Sequence, residues 1–164
     1  MLKINTNFIP SSSKIFIVGG TVRDIIIGVP PKDIDIVTLD DPKQLAQEIA
    51  ANCRRRIIER GKPGMKIFRI VAENQTYDIA PANGKSIEED LNKRDFTINA
   101  MAISLDKASG NAKIIDPHNG QNDLNYKIIR MISSDNLKAD PVRMLRAYRI
   151  GSRFGFTISR KTSL

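Results

Sequence analysis

The apolar positions of this chain change period several times, and each change marks an element. KIFIV (14–18) is a short unbroken apolar run that ends at Gly19-Gly20, the pattern of a buried strand entering a turn. TVRDIIIG (21–28) then takes helix-like spacing and closes on a glycine, a helix stop. VPP (29–31) imposes an extended turn, and KDIDIVT (32–38) alternates polar and apolar as a half-buried strand does. DPKQLAQEIAANC (41–53) reads as a helix, with Asp41 at the N-cap and Pro42 in the first helical position. MKIFRIVA (65–72) and QTYDIA (75–80) are strands joined by a turn at ENQ.

Further along, SIEEDL (86–91) sets Ser86 and Glu89 three apart, a capping box. RDFTINAMAIS (94–104) fits a helix or a strand, AKIIDP and KIIRMI are short β-like runs, and NG at 119–120 is a turn signal. DPVRMLRAYRIGSRFG (140–155) is the clearest helix, with Asp140 at its cap and a proline in its first turn. Val142, Leu145, Tyr148 and Phe154 form its expected packing side. The helix is expected to lead away from the sheet, and RKTSL after it offers no closing element. At the other end, SSS (11–13) ends a short arm. Strands in the middle and helices at both ends predict an α/β (α+β) fold, a small mixed sheet flanked by helices.

Composition narrows the partners. The chain has 164 residues, 41% of them hydrophobic, enough for one domain with a real core. Tryptophan is absent, so aliphatic side chains must supply most of the packing. Lys and Arg number 26 against 18 acidic residues, a net charge of +8 that suits nucleic acid, nucleotide or an anionic surface, although solubility alone also explains it. Cys53 is the only cysteine, which excludes an internal disulfide and a cysteine-based metal site and points to a reducing compartment. His118 is the only histidine and sits in a Pro/Gly turn, which excludes a histidine metal cluster and argues against a catalytic triad. The start lacks the apolar core of a signal peptide, and no run approaches the roughly 18 residues of a membrane span. The expectation is a soluble, cytoplasmic protein.

Candidate chemistry centres on DID. On a strand, Asp33 and Asp35 point to one face and Ile34 and Ile36 to the other. Two adjacent carboxylates need a proton, a basic group or a metal to relieve their repulsion. A lone DxD is most often a solvated strand face. Here a glycine turn entering a helix lies just upstream, and its free N–H groups and dipole favour a phosphate. Arg23 stands early in that helix. Mg²⁺ prefers carboxylate and phosphate oxygens, so the pieces suggest a triphosphate held between a glycine turn and a metal pair. The spacing is neither GxGxxG nor a Walker A loop. Asp78, in YDI, supplies a third carboxylate if its strand lies beside DID; a surface aspartate is the simpler reading. Arg143, Arg146, Arg149 and Arg153, at spacings of three, three and four, share one face of the last helix and suit a polyanion.

These segments carry a resemblance. VGGTVRDIIIG with the downstream KDIDIVT resembles the GGxVRD…DxD signature of the class II CCA-adding tRNA nucleotidyltransferase and bacterial poly(A) polymerase family. EEDLNKRDFTINAMAIS resembles its RRDFTINA motif, and ADPVRMLRAYRIGSRFGF its EDxxR neck helix. The three occur in the family's order across residues 15–156. The resemblance implies a polymerase-β-like nucleotidyltransferase head over 1–138 and the start of a helical neck over 139–164. It implies two Mg²⁺ ions on Asp33 and Asp35, with Asp78 a further catalytic carboxylate. Gly19, Gly20 and Arg23 are then expected to hold the triphosphate, and Arg94 and Asp95 the ribose. Asp140 and Arg143 are expected at the Watson–Crick edge of the incoming base, and Asn99 and Arg146 join the nucleotide-binding set. Two positions depart from the pattern: Lys93 replaces the first arginine of RRD, losing its planar fork, and Ala139 replaces the glutamate of EDxxR.

The implied activity is template-independent addition of CMP or AMP, from CTP or ATP, to the 3′ end of tRNA. Poly(A) synthesis on RNA 3′ ends is the alternative, and a nucleotide-binding head without activity of its own is the second. Small-molecule nucleotidyltransferases share the glycine turn and DxD but lack KRDFTINA and DPVRMLRA. Family members carry further helices that hold RNA, so this chain is expected to be a piece of a longer protein or to work with a partner chain.

Overall fold

The computed structural model describes residues 4–62, 65–106 and 113–163. Strand β1 (Ser12–Val18) leads into helix α1 (Gly20–Ile26), strand β2 (Asp33–Thr38) and helix α2 (Pro42–Cys53). Three strands follow, β3 (Ile57–Lys62), β4 (Met65–Ala72) and β5 (Gln75–Pro81), then α3 (Ile87–Asn92), a short 3₁₀ turn (Thr97–Asn99), β6 (Ala102–Leu105) and β7 (Ile114–Ile115). The remainder is α4 (Gly120–Asn125), β8 (Ile128–Ile129), α5 (Ser134–Ala139), α6 (Val142–Phe154) and β9 (Thr157–Ile158). The α/β expectation holds.

The main sheet has the order β3-β4-β5-β2-β1-β6-β7. Only β2 and β5 pair in parallel, and that ladder puts Asp35 opposite Asp78. Alternation along β2 sends Ile34 and Ile36 into a core shared with Leu45, Ala46 and Ile49 of α2, and leaves the two aspartates on the other face. Helix α2 starts as its sequence requires: Asp41 accepts from the Lys43 N–H and Pro42 opens the first turn. Ser86 caps α3 by accepting from the Glu89 N–H, while Glu89 reaches back to the Lys85 N–H. The β4–β5 turn passes through Glu73 and Asn74, both in the left-handed region.

Four expectations need correction. Residues 57–62 form an edge strand that the apolar pattern of the segment does not announce. Ser12 already belongs to β1. At 119–120 the turn residue is Asn119, and Gly120 opens a helix, where an added Cβ would lie 2.3 Å from the Thr97 carbonyl oxygen. The C-terminal part does not lead away. Ala147 and Ile150 of α6 are buried in one cluster with Ile17, Val22, Phe96 and Ile98, and β9 returns to pair with β8. Thr162, 1% exposed, accepts from the Met131 N–H. Consequently Val142, Leu145 and Tyr148, expected to pack, are 60–69% exposed. Ala147 and Ile150 take the contact instead, while Phe154, also expected to pack, does lie against the same cluster.

Candidate active site

The corner between β1, α1 and β2 is fixed by the two glycines. Gly19 has φ +70°, in the left-handed region, and an added Cβ would lie 2.8 Å from Arg94 Nη1. Its nearest other neighbour in the site is Asp35 Oδ2, 3.7 Å from that Cβ position. The chain therefore turns directly over the second aspartate. Gly20 begins α1, whose first-turn N–H groups have no acceptor within the helix. Thr21, which the sequence reading did not single out, is 2% exposed and bonds to the backbone of both Asp33 and Asp35.

A buried polar chain runs behind the glycine turn. Arg23 donates from Nε and Nη2 to Asp24 Oδ1 at 2.9 and 2.7 Å, and from Nη1 to Asn99 Oδ1 at 2.7 Å. Its guanidinium also stacks 4.9 Å from the centre of the Phe154 ring. Asn99 Nδ2 donates to Asp95 Oδ1 at 3.2 Å, and that oxygen also accepts from the Phe96 N–H. Asp95 Oδ2 is buried, 3.2 Å from Arg146 Nη1, and without a hydrogen bond of acceptable geometry. Arg23, expected to face a triphosphate, is thus 7% exposed and largely committed to Asp24 and Asn99.

In front of these groups lies a cavity of about 650 Å³. One wall carries Gly20, Thr21, Asp33 and Asp35; the other carries Arg146, Arg149 and Arg153 of α6, with Lys32 and Arg23 between them. The arginine row of the sequence therefore faces the DID pair, apart from Arg143. Arg143 donates to the carbonyls of Lys93 and Asn136 and lies 3.7 Å from Asp140. Neither Arg143 nor Asp140 lines the cavity. Asp140 also accepts from the Val142 N–H, but it stands one residue before the N-cap, Pro141, and not at the cap the sequence predicts. The row is not free of acid, since Asp95 and Asp140 each pair with one of its members. Arg94 stands beside Gly19 and is held by Asp90 at 2.8 Å.

The carboxylates fit a cation. Burial pushes the Asp35 carboxyl up to about 6; Arg94 opposes this, while the charges of Asp78 and Asp33 add to it. A desolvated, crowded carboxylate of this kind gains from a divalent ion more than a solvated one does. Asp78 is in register with Asp35, but both its oxygens bind Arg69, at 2.7 and 2.5 Å, and this contact raises the Arg69 pKa. Among the described residues, no three His, Cys, Asp or Glu side chains converge on a metal-sized point. The fit is therefore to Asp33 and Asp35, with phosphate or water oxygens completing the shell.

The sequence profile of the Poly A polymerase head domain matches residues 15–130. An A-adding tRNA nucleotidyltransferase of Halalkalibacterium halodurans is 37% identical over 163 residues, and a CC-adding tRNA nucleotidyltransferase of the same organism 38% over 151. These alignments cover 91% and 90% of this chain but only 38% and 37% of the relatives, so the chain spans less than two-fifths of their length. A solved tRNA nucleotidyltransferase, complexed with a primer tRNA and an incoming ATP analog, superposes with a TM-score of 0.80 at 35% identity, over 92% of this chain and 44% of that one. Nucleotidyltransferases of this type use divalent metal ions. The glycine turn over an aspartate pair, the mixed sheet and these matches agree: the chain belongs to the family of the poly(A) polymerase head domain, with the class II tRNA nucleotidyltransferases among its members.

Proposed function

We propose that this chain is the nucleotidyltransferase head of an enzyme that adds CMP or AMP, from CTP or ATP, to the 3′ end of tRNA without a template. The observation that carries the reading is the cavity itself: two aspartates on a fixed strand face three arginines across a space of nucleotide size. The A-adding and CC-adding relatives are equally similar, so the nucleotide added is left to experiment.

In the proposed reaction the RNA 3′-oxygen attacks the α-phosphorus in line, its proton leaves to solvent, and pyrophosphate departs. Two Mg²⁺ ions, held by Asp33 and Asp35 when bound, supply charge neutralisation and a more acidic 3′-hydroxyl. The chain's own residues position the reactants, which is most of the work in such a transfer. The first turn of α1 offers N–H groups to phosphate. Arg146, Arg149, Arg153 and Lys32 balance the triphosphate charge. Asp95 Oδ2, buried and paired with Arg146 but without a hydrogen bond, and the adjacent Arg94 suit a ribose hydroxyl. Asp140 and Arg143 offer an acceptor beside a donor fork at the start of α6, the chemistry of a base edge. Asp78 remains a neighbour of the reacting centre, engaged by Arg69. We read residues 1–138 as the head and 139–164 as the start of the neck, in a cytoplasmic protein. No helix among the described residues is long and apolar enough to cross a membrane.

The test is incorporation of labelled ATP and CTP, separately and with Mg²⁺, onto tRNA ending before CCA, after CC and after CCA, and onto a generic RNA. Incorporation that an Asp33→Ala/Asp35→Ala variant loses is the expected result. Incorporation that survives both changes, or a folded chain that binds neither nucleotide, would overturn the proposal.

A further inference from the structure

Strand β2 is short of a neighbour where its chemistry sits. Strand β1 pairs with it only from Ile15 to Ile17, opposite Ile36 to Thr38. Past Val18 the chain leaves the sheet through the Gly19 turn and becomes α1. Beside Asp33–Asp35, β2 therefore keeps β5 on one side and has no strand on the other. The gap is filled by one side chain. Thr21 Oγ1 donates to the Asp33 carbonyl at 3.2 Å and accepts from the Asp35 N–H at 2.9 Å. A hydroxyl offers one donor and two acceptor sites, so it can return both bonds that an antiparallel neighbour would have made. Thr21 is 2% exposed, so water does not replace it readily.

From this geometry we infer that Thr21 is a positioning residue, a one-residue surrogate strand that locks the glycine turn to the aspartate pair. The inference rests on the proposed reaction for its consequence. Gly20 and Thr21 open the phosphate-facing turn, and the same Thr21 hydroxyl fixes the backbone from which both carboxylates project. One contact thus sets the distance between the triphosphate and the metal-holding groups. An in-line transfer is sensitive to displacements of about 1 Å, which cost up to roughly 100-fold in rate. Thr21 lines the cavity, but its hydroxyl is engaged by the Asp33 carbonyl and the Asp35 N–H, so its effect passes through the two aspartates. The dipeptide pattern around it gives no hint of this, because the bonded groups are backbone atoms 12 and 14 residues away.

Thr21→Val keeps the shape and removes both bonds; Thr21→Ser keeps the hydroxyl. Thr21→Ala stands in if the valine chain does not fold. Three readouts apply to the whole chain: hydrogen exchange at the Asp35 amide, Mn²⁺ binding without nucleotide, and single-turnover incorporation. For Thr21→Val, the Asp35 amide should exchange at least about 10-fold faster while the β4–β5 amides keep their protection. Mn²⁺ binding should weaken several-fold, and turnover should fall about 10- to 100-fold with a smaller change in nucleotide KM. Thr21→Ser should restore all three to within about threefold of the parent. Unchanged Asp35 exchange in Thr21→Val overturns the clamp. So does lost protection with unchanged Mn²⁺ binding, or a serine chain as impaired as the valine one. If the folded parent chain binds neither nucleotide, the proposed function fails, and amide exchange with Mn²⁺ binding still decides the role of Thr21.

Discussion

The two walls of the cavity are built in opposite ways. The β2 wall is backed by side chains that are almost wholly buried, Val18, Val22, Ile34 and Ile36 among them, and its backbone is bonded to β5 and Thr21. The α6 wall presents long arginines on a helix that also leaves Val142, Leu145 and Tyr148 open. Ala147 and Ile150, partly buried Met144 and Phe154, the Arg146–Asp95 pair, the Arg143 bonds to Lys93 and Asn136 and the Arg23–Phe154 stack fasten α6 to the rest. The difference matches two tasks. Groups that define a reaction axis need a fixed frame, whereas groups that balance the charge of a polyanion work from a distance and tolerate movement. Substitutions should therefore separate chemistry from charge balance along this divide.

The largest separation is expected at Asp35. Asp35→Asn should lower transfer roughly a thousandfold or more, since on the proposed reaction it removes a carboxylate from the metal-holding pair. It should also stabilise the fold. The Asp35 carboxyl is pushed from 3.8 up to about 6 in the folded chain, so ionising it opposes folding. That penalty is absent below about pH 4, grows as the pH rises through 6, and is full above it, where a shift of this size amounts to about 3 kcal/mol. Denaturant melts at pH 4 and pH 7.5 should show the asparagine chain gaining about 1–3 kcal/mol over the parent at the higher pH only. A gain equal at both values would remove the electrostatic reading of this wall.

Gly19→Ala comes next, and Gly28→Ala is its control. Both glycines have positive φ, +70° and +77°. At Gly28 an added Cβ meets nothing within 4 Å, so the cost is the backbone alone, about 1 kcal/mol. At Gly19 the Cβ presses on Arg94, 2.8 Å away, directly above Asp35. We expect about 2–3 kcal/mol there and a loss of transfer that Gly28→Ala does not share. Thermal melts and incorporation rates measured on the two chains side by side settle it.

How far the sequence disclosed these walls depends on the range of the interactions. The β1–α1–β2–α2 run was legible because its signals are local: an apolar run, a glycine pair, an alternating strand, an Asp-Pro cap. The KRDFTINA and DPVRMLRA blocks likewise pointed to the right family. Strand β3 was not legible, because RRRIIERGK has no alternation of its own and is a strand by virtue of pairing Ile57 with Ile70. Arg23 lines the cavity, but what holds it there was not legible, because its partner Asn99 is 76 residues away. In α6 the period was plain and the buried face was not. Apolar residues occur on both sides of this helix, and only the tertiary contact selects Ala147, Ile150 and Phe154 over Val142, Leu145 and Tyr148.

Arg146 joins the walls, and its loss should have an intermediate effect. Arg146→Met leaves Asp95 buried with only its Phe96 and Asn99 bonds. Because Arg146 is itself about half exposed, with a side-chain accessibility of 45%, the cost should be about 1–2 kcal/mol rather than that of a fully buried pair. Nucleotide KM should rise more than kcat falls, since the arginine balances charge without setting the reaction axis. Arg146→Lys should recover part of both. If kcat fell as much as for an aspartate variant, the division between the walls would not hold.

The smallest effect on the single chain is expected on the outer side of α6. Leu145 is 69% and Tyr148 60% exposed, so Leu145→Glu/Tyr148→Glu should change folding stability by no more than about 0.5 kcal/mol. The same row, with Val142 one turn earlier, is an apolar strip on a charged helix. The parent chain should therefore associate weakly as its concentration rises, and the double variant should not. Sedimentation across a hundredfold concentration range measures both. A parent that stays monomeric throughout would show that the arginines beside the strip already keep copies apart.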